Sequence, residues 1–297
     1  MKIMITGSKG QLGNELINIL KTGKSEIGSI PEEYSGAAVI PVDIEDLDIS
    51  DFPAVEKFVL ENRPDIIINC AAYTNVDGCE SLPETAYKIN SDSVKNLAVA
   101  AQKAGAKLVE LSTDYVFGGN ADKPYVESDA VDPQGVYAKS KALGEKYAAE
   151  YCKKTFIVRT AWLYGYVGKN FVKTVRRVLK EKGSMTVVND QRGNPTNAND
   201  LAYHILKLCL TEEYGIYHCT GEGECSWYEF ASEIAALSGY EGKVSPCTTE
   251  WYNKTYNVPA KRPYYSSLSN SAVSRTVGNE MRDWKSALKE YISKVED

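Results

Sequence analysis

The feature that most constrains the fold is a run of short apolar segments, separated by helical patterns, in the first two-thirds of the chain. Most residues of each segment are apolar, without alternation between polar and apolar positions. Uninterrupted apolar strands are typical of a parallel sheet covered on both faces, because neither face then meets water. The predicted strands are residues 2–6, 38–42, 65–70, 107–112 and 155–160.

Helical patterns fill the connections between these strands. Leu12, Leu16 and Leu20 are spaced so that apolar side chains fall on one face of a first helix. Further helices are predicted at residues 51–62, 91–104 and 137–151. Strands and helices joined by right-handed crossovers build a doubly wound sheet. We therefore expect an α/β fold with a Rossmann-like, doubly wound parallel sheet.

The pattern loosens past residue 160. Ser226 and Glu229 have the S-x-x-E spacing of a capping box, which predicts a helix from there to Leu237. Residues 239–282 are rich in turn-forming and aromatic residues, so no regular element is predicted there. The other predicted elements are helices at residues 171–182, 200–210 and 284–295 and a strand at 216–219.

The length of 297 residues favours one large domain with a smaller lobe, since domains commonly have about 100–200 residues. We predict a Rossmann-like domain over residues 1–160, to which parts of residues 190–220 return. Residues 161–297 are predicted to form mainly a smaller α/β C-terminal lobe. No linker is recognisable, so we expect this lobe to be interleaved with the sheet.

The charge and the cysteines argue against several classes of partner and site. A net charge of −6 disfavours nucleic acid and anionic membranes as partners, since both are bound by basic surfaces. The seven cysteines are odd in number and form no C-x-x-C pair. We therefore predict reduced thiols in a cytoplasmic protein, without disulfides or a zinc site, and assign no metal ligand. We also expect no signal peptide and no membrane span.

A glycine-rich segment joins the first predicted strand to the first helix. Gly7, Gly10 and Gly13 have the spacing G-x-x-G-x-x-G. The first glycine allows a tight turn, the second lets the backbone approach a pyrophosphate, and the third lets helix and strand pack closely. The phosphates would lie at the positive end of the helix. The segment predicts a dinucleotide site, and the alternative is a glycine-rich connection without a ligand.

Asp43 ends the second predicted strand, where an acidic side chain can accept both ribose hydroxyls of an adenosine. Its charge would repel the 2′-phosphate of NADPH, which favours NADH, but the cofactor can be either of the two. Asp48 and Ile49 are predicted to lie near the adenine. The alternative for Asp43 is an acid on a solvated loop, because it lies farther from the glycines than the usual ~20 residues.

Tyr137 and Lys141 have Y-x-x-x-K spacing on a predicted helix, so both side chains lie on one helical face. An ammonium beside a phenol favours the phenolate, so Lys141 is expected to lower the pKa of Tyr137 and to hold the cofactor's ribose. Tyr137 could then pass a proton to a carbonyl oxygen as hydride reaches its carbon. Thr113 ends the fourth predicted strand and would hydrogen-bond the same oxygen. Together they predict an NAD(P)-dependent reductase.

The motifs in combination resemble the extended short-chain dehydrogenases, and this resemblance covers essentially the whole chain. It is carried by residues 7–13, 69–77 and 112–117 and by the Tyr137/Lys141 pair. Residues 188–196 and 259–263 are similar to the dTDP-4-dehydrorhamnose reductases within that group.

This resemblance implies NAD(P)H-dependent reduction of the C4 ketone of dTDP-4-dehydro-L-rhamnose to dTDP-L-rhamnose, for cell-surface polysaccharide synthesis. Thr113, Tyr137 and Lys141 fall on the catalytic positions of the family, and the C-terminal lobe would bind the substrate. The candidate cofactor contacts are Gly7, Gly10, Gln11, Leu12, Gly13, Asp43, Asp48, Ile49, Ala71, Ala72, Tyr73, Asn90, Tyr137 and Lys141. The candidate substrate contacts are Thr113, Trp162, Asn170, Gln191 and Arg262.

Several alternatives stay open from the sequence. Trp162 could pack within the lobe, and Arg262 could be a surface charge. Tyr115 stands where related dehydratases carry a glutamate, so dehydration is disfavoured. The chain could act on another nucleotide sugar as a reductase or epimerase. It could also be a non-catalytic, dinucleotide-binding regulatory subunit, like the beta subunit of eukaryotic methionine adenosyltransferase.

The resemblance leaves the assembly and a metal open. Some members of the family form dimers around a magnesium ion, and Glu15 falls at one of the ligand positions. The other ligands do not match, so Mg²⁺ is possible but not supported. We interpret Glu15 as a solvated helix residue and expect a monomer or a homodimer.

Overall fold

Fourteen strands are found in the computed structural model, which describes residues 1–240 and 243–295. In chain order they are β1 (Lys2–Thr6), β2 (Lys24–Ser25), β3 (Gly28–Ser29), β4 (Ala38–Val42), β5 (Ile66–Asn69), β6 (Lys107–Thr113), β7 (Thr155–Thr160), β8 (Leu163–Tyr164), β9 (Ser184–Val188), β10 (Arg192–Gly193), β11 (Thr196–Asn197), β12 (Gly215–His218), β13 (Cys225–Ser226) and β14 (Lys243–Cys247).

Twelve α-helices accompany these strands in the same described ranges. They are α1 (Gln11–Thr22), α2 (Phe52–Asn62), α3 (Val76–Ser81), α4 (Pro83–Tyr87), α5 (Ser93–Ala104), α6 (Val136–Tyr151), α7 (Phe171–Lys182), α8 (Ala198–Cys209), α9 (Trp227–Leu237), α10 (Thr249–Tyr256), α11 (Ser271–Val277) and α12 (Trp284–Lys294). None of the helices in the described part of the chain combines the length and the apolarity needed to cross a bilayer.

Six of the strands form a central sheet in the order β12-β7-β6-β5-β1-β4, and each neighbouring pair is parallel. The chain passes from β1 to β4 at one edge, and then from β5 through β6 and β7 toward the other edge. The direction of winding therefore reverses between β1 and β5. Ligands of such sheets bind beyond the carboxyl ends of the strands at this point. The predicted doubly wound α/β fold is confirmed.

Helices cover both faces of the sheet because the strands are apolar on both faces. Along β1, Ile3 and Ile5 face one helical layer and Met4 faces the other, and all three side chains are fully buried. The first layer contains α1, α8 and α11, and the second contains α2, α5 and α6. Each fully buried side chain of this size stabilises the fold by about 1.5–3 kcal/mol.

A further apolar cluster lies among α7, α9, α12 and the β9–β14 pair. Its largest buried side chains are Tyr164, Phe230, Trp284 and Tyr291. In contrast, α8 packs on the central sheet and β12 pairs with its strand β7, so the chain returns to the sheet after residue 190. The division into a domain and a lobe near residue 160 stays a prediction.

Three elements occur within residues 239–282, where none was predicted: β14, α10 and α11. The strand β14 exists through its parallel pairing with β9, where Lys243 lies opposite Ser184. A contact between such distant segments leaves no local pattern in the sequence. The capping box is confirmed, because Ser226 Oγ accepts from the Glu229 N–H and the Glu229 carboxylate accepts from the Ser226 N–H. The other predicted bounds lie within two residues of those observed.

Candidate active site

Two adjoining cavities open at the carboxyl ends of the central strands, where the winding reverses. The first has a volume of about 550 Å³ and is bounded by Gly7, Asp43 and Ala71. We call it the β4 cavity, because it lies beyond the ends of β1 and β4. Such concave sites at the switch point of a doubly wound sheet are where ligands bind.

The second cavity has a volume of about 530 Å³ and is bounded by Thr113, Tyr137 and Trp162. We call it the β6 cavity, because it lies beyond the end of β6. Gly10 and Ala72 line both cavities, so a single extended ligand could occupy the two together.

The glycine loop leaves bare backbone between the two cavities. Gly7 has a left-handed φ of 61°, and a Cβ there would lie 2.8 Å from the Ala71 nitrogen. A Cβ on Gly13 would lie 2.3 Å from the Gly7 oxygen. Gly10 is the N-cap of α1 and makes no side-chain cap bond. The first N–H groups of α1 are therefore available to an anion at the positive end of the helix.

Acidic and apolar residues close the β4 cavity at the end of β4. The Asp43 carboxylate accepts from the backbone N–H groups of Lys9 and Ile44, each at 2.9 Å. Asp43 is half-buried and tied to the glycine loop, which argues against the alternative of a freely solvated acid. Asp48 and Ile49 line the same cavity, as do Ala71 and Ala72. The structure thus brings together Asp43, Asp48 and Ile49, which the sequence assigned to the adenosine half of a cofactor. It places beside them Ala71 and Ala72, which the family resemblance assigned to the cofactor.

Asn90 supports the wall of the site from behind. Its Oδ1 accepts from the Tyr73 N–H at 2.8 Å, and its Nδ2 donates to the Tyr73 oxygen at 3.1 Å. The same Nδ2 donates to Ser140 Oγ at 3.1 Å on α6. Asn90 is fully buried and fixes the segment after β5 against α6. Neither Asn90 nor Tyr73 lines either cavity.

Thr113 and Tyr137 meet at the wall of the β6 cavity. The Tyr137 hydroxyl lies within reach of the Thr113 hydroxyl, and Thr113 Oγ1 donates to Asp114 Oδ1 at 2.9 Å. The Tyr115 ring packs edge-on against the Tyr137 ring, with centroids 5.6 Å apart. Burial raises the pKa of Tyr137 well above its ordinary value, and the bond with Thr113 acts in the opposite direction. In this arrangement the Tyr137 phenol is firmly protonated.

Lys141 lines the β6 cavity with Tyr137, but its charge is paired. Its ammonium donates to Glu110 Oε1 at 2.7 Å, and both side chains are buried. The expectation that Lys141 lowers the pKa of Tyr137 is not met in this arrangement, because burial of the phenol dominates. Glu110 was missed in the sequence because it lies inside an apolar strand. The sequence indicated it only as an acidic residue within a strand that was predicted to be buried.

Asp114 is a second acid for which the sequence predicted no role. It follows Thr113 directly, is almost fully buried and lines the β6 cavity. Burial raises its pKa to about 6, although hydrogen bonds from Ser266 and Thr113 act against this shift. A carboxyl with such a pKa can change its protonation near neutral pH.

Trp162 both lines a cavity and packs against another aromatic side chain, and its contact with a substrate stays a prediction. Its ring lines the β6 cavity and stacks on Trp227, with centroids 3.6 Å apart and planes inclined by 10°. Its backbone has a left-handed φ of 47°, and its ring lies so close to Gly193 that a Cβ there would be 2.7 Å away. Packing within the lobe therefore fixes a ring that faces the cavity.

Gln11 and Asn170 bind each other instead of projecting freely. Gln11 Oε1 accepts from the Gly165 N–H at 2.8 Å and from Asn170 Nδ2 at 3.0 Å. Asn170 Oδ1 also caps α7 by accepting from the Lys173 N–H. Gln11, with Leu12, lines the β6 cavity, whereas Asn170 does not. A substrate contact for Asn170 stays a prediction.

Gln191 and Arg262 also lie outside the lining of the β6 cavity. Gln191 is buried, and its Nε2 donates to Thr249 Oγ1 at 2.9 Å. Arg262 is mostly buried and donates to Asp77 Oδ2 at 2.8 Å, so it is not a free surface charge. It lies beside Tyr115, which borders the β6 cavity. Their roles toward a substrate stay predictions.

The interpretation of Glu15 as a solvated helix residue is wrong. Its carboxylate is buried, accepts from Asn199 Nδ2 at 2.9 Å, and has a pKa raised by burial. The helix face that carries it packs on α8, which the local pattern could not show. Within residues 1–240 and 243–295 no three His, Cys, Asp or Glu side chains are grouped to hold a metal ion. All seven cysteines are free thiols.

Comparison with known proteins gives full-length similarities. The sequence profile of the family described as RmlD substrate binding domain matches residues 1–296. The spore coat polysaccharide biosynthesis protein SpsK of Bacillus subtilis (strain 168) is 40% identical over 98% of this chain and 96% of its own length.

Two crystal structures are similar over 99% of this chain and 99% of their own. A dTDP-4-dehydrorhamnose reductase from Clostridium acetobutylicum ATCC 824 has a TM-score of 0.91 and 48% identity. The dTDP-4-dehydrorhamnose reductase from Bacillus anthracis str. Ames, in complex with NADP, has a TM-score of 0.90 and 41% identity.

Proposed function

Because this chain belongs to the RmlD substrate binding domain family, we propose that it reduces the C4 ketone of dTDP-4-dehydro-L-rhamnose to dTDP-L-rhamnose, with NADH or NADPH as reductant. The resemblance to the dTDP-4-dehydrorhamnose reductases is confirmed by relatives that cover almost the whole chain. The observation that carries the proposal is that Tyr137, Thr113 and Lys141 line one cavity beside the glycine loop.

The residues present fit a dinucleotide across the two cavities. The bare backbone at Gly7, Gly10 and Gly13 would hold the pyrophosphate, and Asp43 would accept the adenosine ribose hydroxyls. Lys141 has N–H donors for the second ribose. A bound reduced nicotinamide would supply the hydride that adds to C4 of the sugar.

The chain itself supplies the proton. As negative charge develops on the C4 oxygen, the Tyr137 hydroxyl donates to it. Thr113 orients the same oxygen once its hydroxyl turns from Asp114 toward it. The raised pKa of Tyr137 suits this direction, because a proton donor must be protonated when the substrate arrives. Trp162 and Trp227 close one side of the β6 cavity and would exclude water from the ring.

The choice between NADH and NADPH rests on the β4 cavity. Asp43 would repel a 2′-phosphate, but two backbone N–H groups already bind its carboxylate and the Lys9 side chain lies close by. The relative from Bacillus anthracis was crystallised with NADP. We therefore propose that both cofactors are used, and that Asp43→Asn raises the rate with NADPH relative to NADH.

The first test is the loss of reduced-nicotinamide absorbance with freshly generated dTDP-4-dehydro-L-rhamnose, with NADH and NADPH in parallel. Rapid loss with dTDP-L-rhamnose formed in equal amount supports the proposal. If absorbance stays constant although the protein binds the cofactor, this substrate is wrong or the chain is not a catalyst. Other 4-keto nucleotide sugars then separate a related reductase or epimerase from a dinucleotide-binding regulatory subunit.

The setting of the reaction is part of the same proposal. A role in cell-surface polysaccharide synthesis is supported by the similarity to the spore coat polysaccharide biosynthesis protein of Bacillus subtilis. A cytoplasmic location is supported by seven unpaired thiols. For the assembly we propose a monomer or a homodimer, which light scattering of the purified chain distinguishes.

A further inference from the structure

Four polar side chains form a buried row across the sheet, from the strand before the glycine loop to α6. Thr6, Asn69 and Glu110 occupy matching positions on the neighbouring strands β1, β5 and β6. The Thr6 hydroxyl donates to Asn69 Oδ1 at 2.5 Å, and Asn69 Nδ2 donates to Glu110 Oε2 at 2.6 Å. Lys141 Nζ completes the row at Glu110 Oε1, at 2.7 Å. No member is more than 3% exposed.

A buried charge needs a partner of opposite charge, and in this row the charges of Glu110 and Lys141 pair with each other. A lysine removed from water holds its proton less tightly when no anion faces it, because burial disfavours the ammonium. Burial raises the pKa of Glu110, although the Lys141 ammonium acts against that shift. In the described part of the chain, Glu110 is the hydrogen-bond partner of the Lys141 ammonium. The two charges therefore depend on each other.

On the proposed reductase mechanism, we propose that Glu110 is a positioning residue that holds the Lys141 ammonium beside the cofactor's ribose and offsets its charge. An ammonium has three N–H donors, and the bond to Glu110 occupies one, which leaves two for ribose hydroxyls. Because the pair is close to neutral overall, Lys141 has a weak effect on the Tyr137 phenol. This keeps Tyr137 protonated for donation.

Other titratable groups lie near the buried row and near Tyr137, and they are unchanged in the test below. Asp114 and Tyr115 lie on the turn after β6, Cys79 on α3 and Cys70 at the end of β5. Glu145 lies on α6, one turn beyond Lys141, and acts on Glu110. Burial raises the pKa of each of the two cysteines, so both are neutral thiols at neutral pH.

The test is Glu110→Gln, which keeps the shape and an acceptor for Lys141 but removes the negative charge. The uncompensated ammonium then favours the Tyr137 phenolate, so the pKa of Tyr137 falls. Reduction requires protonated Tyr137 and is lost as pH rises through its pKa. The wild-type kcat/KM is therefore expected to hold beyond pH 10, whereas the loss of activity in the variant begins about one pH unit lower.

Glu145→Gln is the matched control. Glu145 is, like Glu110, a buried carboxylate. It lies on the same helix as Lys141 but binds Arg159, at 2.7 Å, instead of that lysine. Its substitution is expected to lower the unfolding midpoint without moving the pH profile. An equal shift in both variants would show a general loss of structure and would overturn the assignment.

A readout without turnover comes from the binding of NADPH alone, followed by protein fluorescence. Glu110→Gln is expected to weaken binding about tenfold, the scale of one hydrogen bond to a charged group. In a Lys141→Met background, Glu110→Gln is expected to make no further change, because Glu110 acts through Lys141. Additive effects would contradict a positioning role.

These measurements separate the two proposals. If wild-type protein reduces no 4-keto nucleotide sugar, the proposed function fails, but the non-additive effect on NADPH binding still supports the role of Glu110. If the wild type turns over and the Glu110→Gln variant matches it in pH profile and in NADPH binding, the positioning role is wrong and the reductase stands.

Discussion

Among single residues, burial governs the titrating groups of the β6 cavity more strongly than neighbouring charges do. It is the largest influence on the pKa of Asp114, Tyr115 and Tyr137, and it raises all three. Each of these groups therefore favours its protonated form. A site of this kind is suited to giving a proton to a developing oxyanion.

Tyr137→Phe tests the proton donor directly. We expect kcat to fall by about 10²-fold or more, the usual contribution of a positioned acid, while the dissociation constant of NADPH changes little. Steady-state rates and fluorescence titration measure the two quantities. Tyr147→Phe, at a half-buried position of the same helix where Lys95 lies over its ring, should retain normal turnover. Near-normal activity of Tyr137→Phe would mean that another group donates the proton.

Asp114 should make stability depend on pH. Its folded pKa of about 6 lies above the ordinary 3.8, so the folded state binds this proton more tightly than the unfolded state. This bound proton stabilises the folded state below about pH 4, and the stabilisation is lost as pH rises through 6. The free energy of unfolding is expected to change by about 3 kcal/mol, at 1.36 kcal/mol per unit of pKa shift. Urea unfolding of wild type and Asp114→Asn from pH 4 to 7 measures it. If the difference between them is constant over this range, the carboxyl is not shifted.

Among the elements, the junction of β1 and α1 decides how closely a phosphate can approach. The helix starts beside β5 because Gly7 and Gly13 have no side chains to hold the segments apart. The side chain of Gln11, at the first position of α1, then bonds to Gly165 and Asn170. The start of this helix therefore links the cofactor site to the C-terminal part of the chain.

Gly13→Ala tests this junction. The added Cβ would meet the Gly7 oxygen at 2.3 Å, so α1 must shift away from the loop. We expect NADPH binding to weaken more than tenfold and the free energy of unfolding to fall by about 1–3 kcal/mol, as in other overpacked sites. Gly36 has a φ of 70° and open space around it. Gly36→Ala should lower the free energy of unfolding by about 1 kcal/mol and leave NADPH binding unchanged. Equal binding in both variants would contradict this account.

Across the whole molecule, Arg282 joins segments that are far apart in the chain. It bonds to Asp200 on α8, to Glu26 between β2 and β3, and to Glu290 on α12. Asp200 is almost fully buried, and its pKa is raised by burial although Arg282 acts against this shift. The network ties the last helix to the layer that covers the sheet.

Arg282→Met should be strongly destabilising, because it leaves the buried Asp200 carboxylate without its cation and removes one of the two cations paired with Glu26. We expect the free energy of unfolding at pH 7 to fall by about 3–5 kcal/mol, with a smaller loss near pH 4, where the carboxyls take up protons. Chemical denaturation at the two pH values measures this. Lys294→Met removes from Glu26 and Glu290 a cation that is more exposed than Arg282. It should lower the free energy of unfolding by less than about 1 kcal/mol. A loss that does not depend on pH would point to packing instead of charge.

The sequence by itself determined the features that depend on local spacing. The apolar runs predicted five strands of the central sheet, because side-chain burial on both faces removes all polar alternation. The capping box marked the start of α9, because both of its bonds lie within one helical turn. The glycine spacing and the Y-x-x-x-K pair likewise predicted the loop and the helix face that border the two cavities.

The tertiary structure alone decided which polar groups meet. Glu110 and Lys141 are 31 residues apart, and Glu15 and Asn199 are 184 apart, so no local pattern joins them. The same holds for β14, which is a strand only beside β9. Protonation follows these contacts, since the pKa of a group depends on how deeply packing buries it and on which charge faces it. The sequence could therefore identify the catalytic candidates, while the fold determined their charge states.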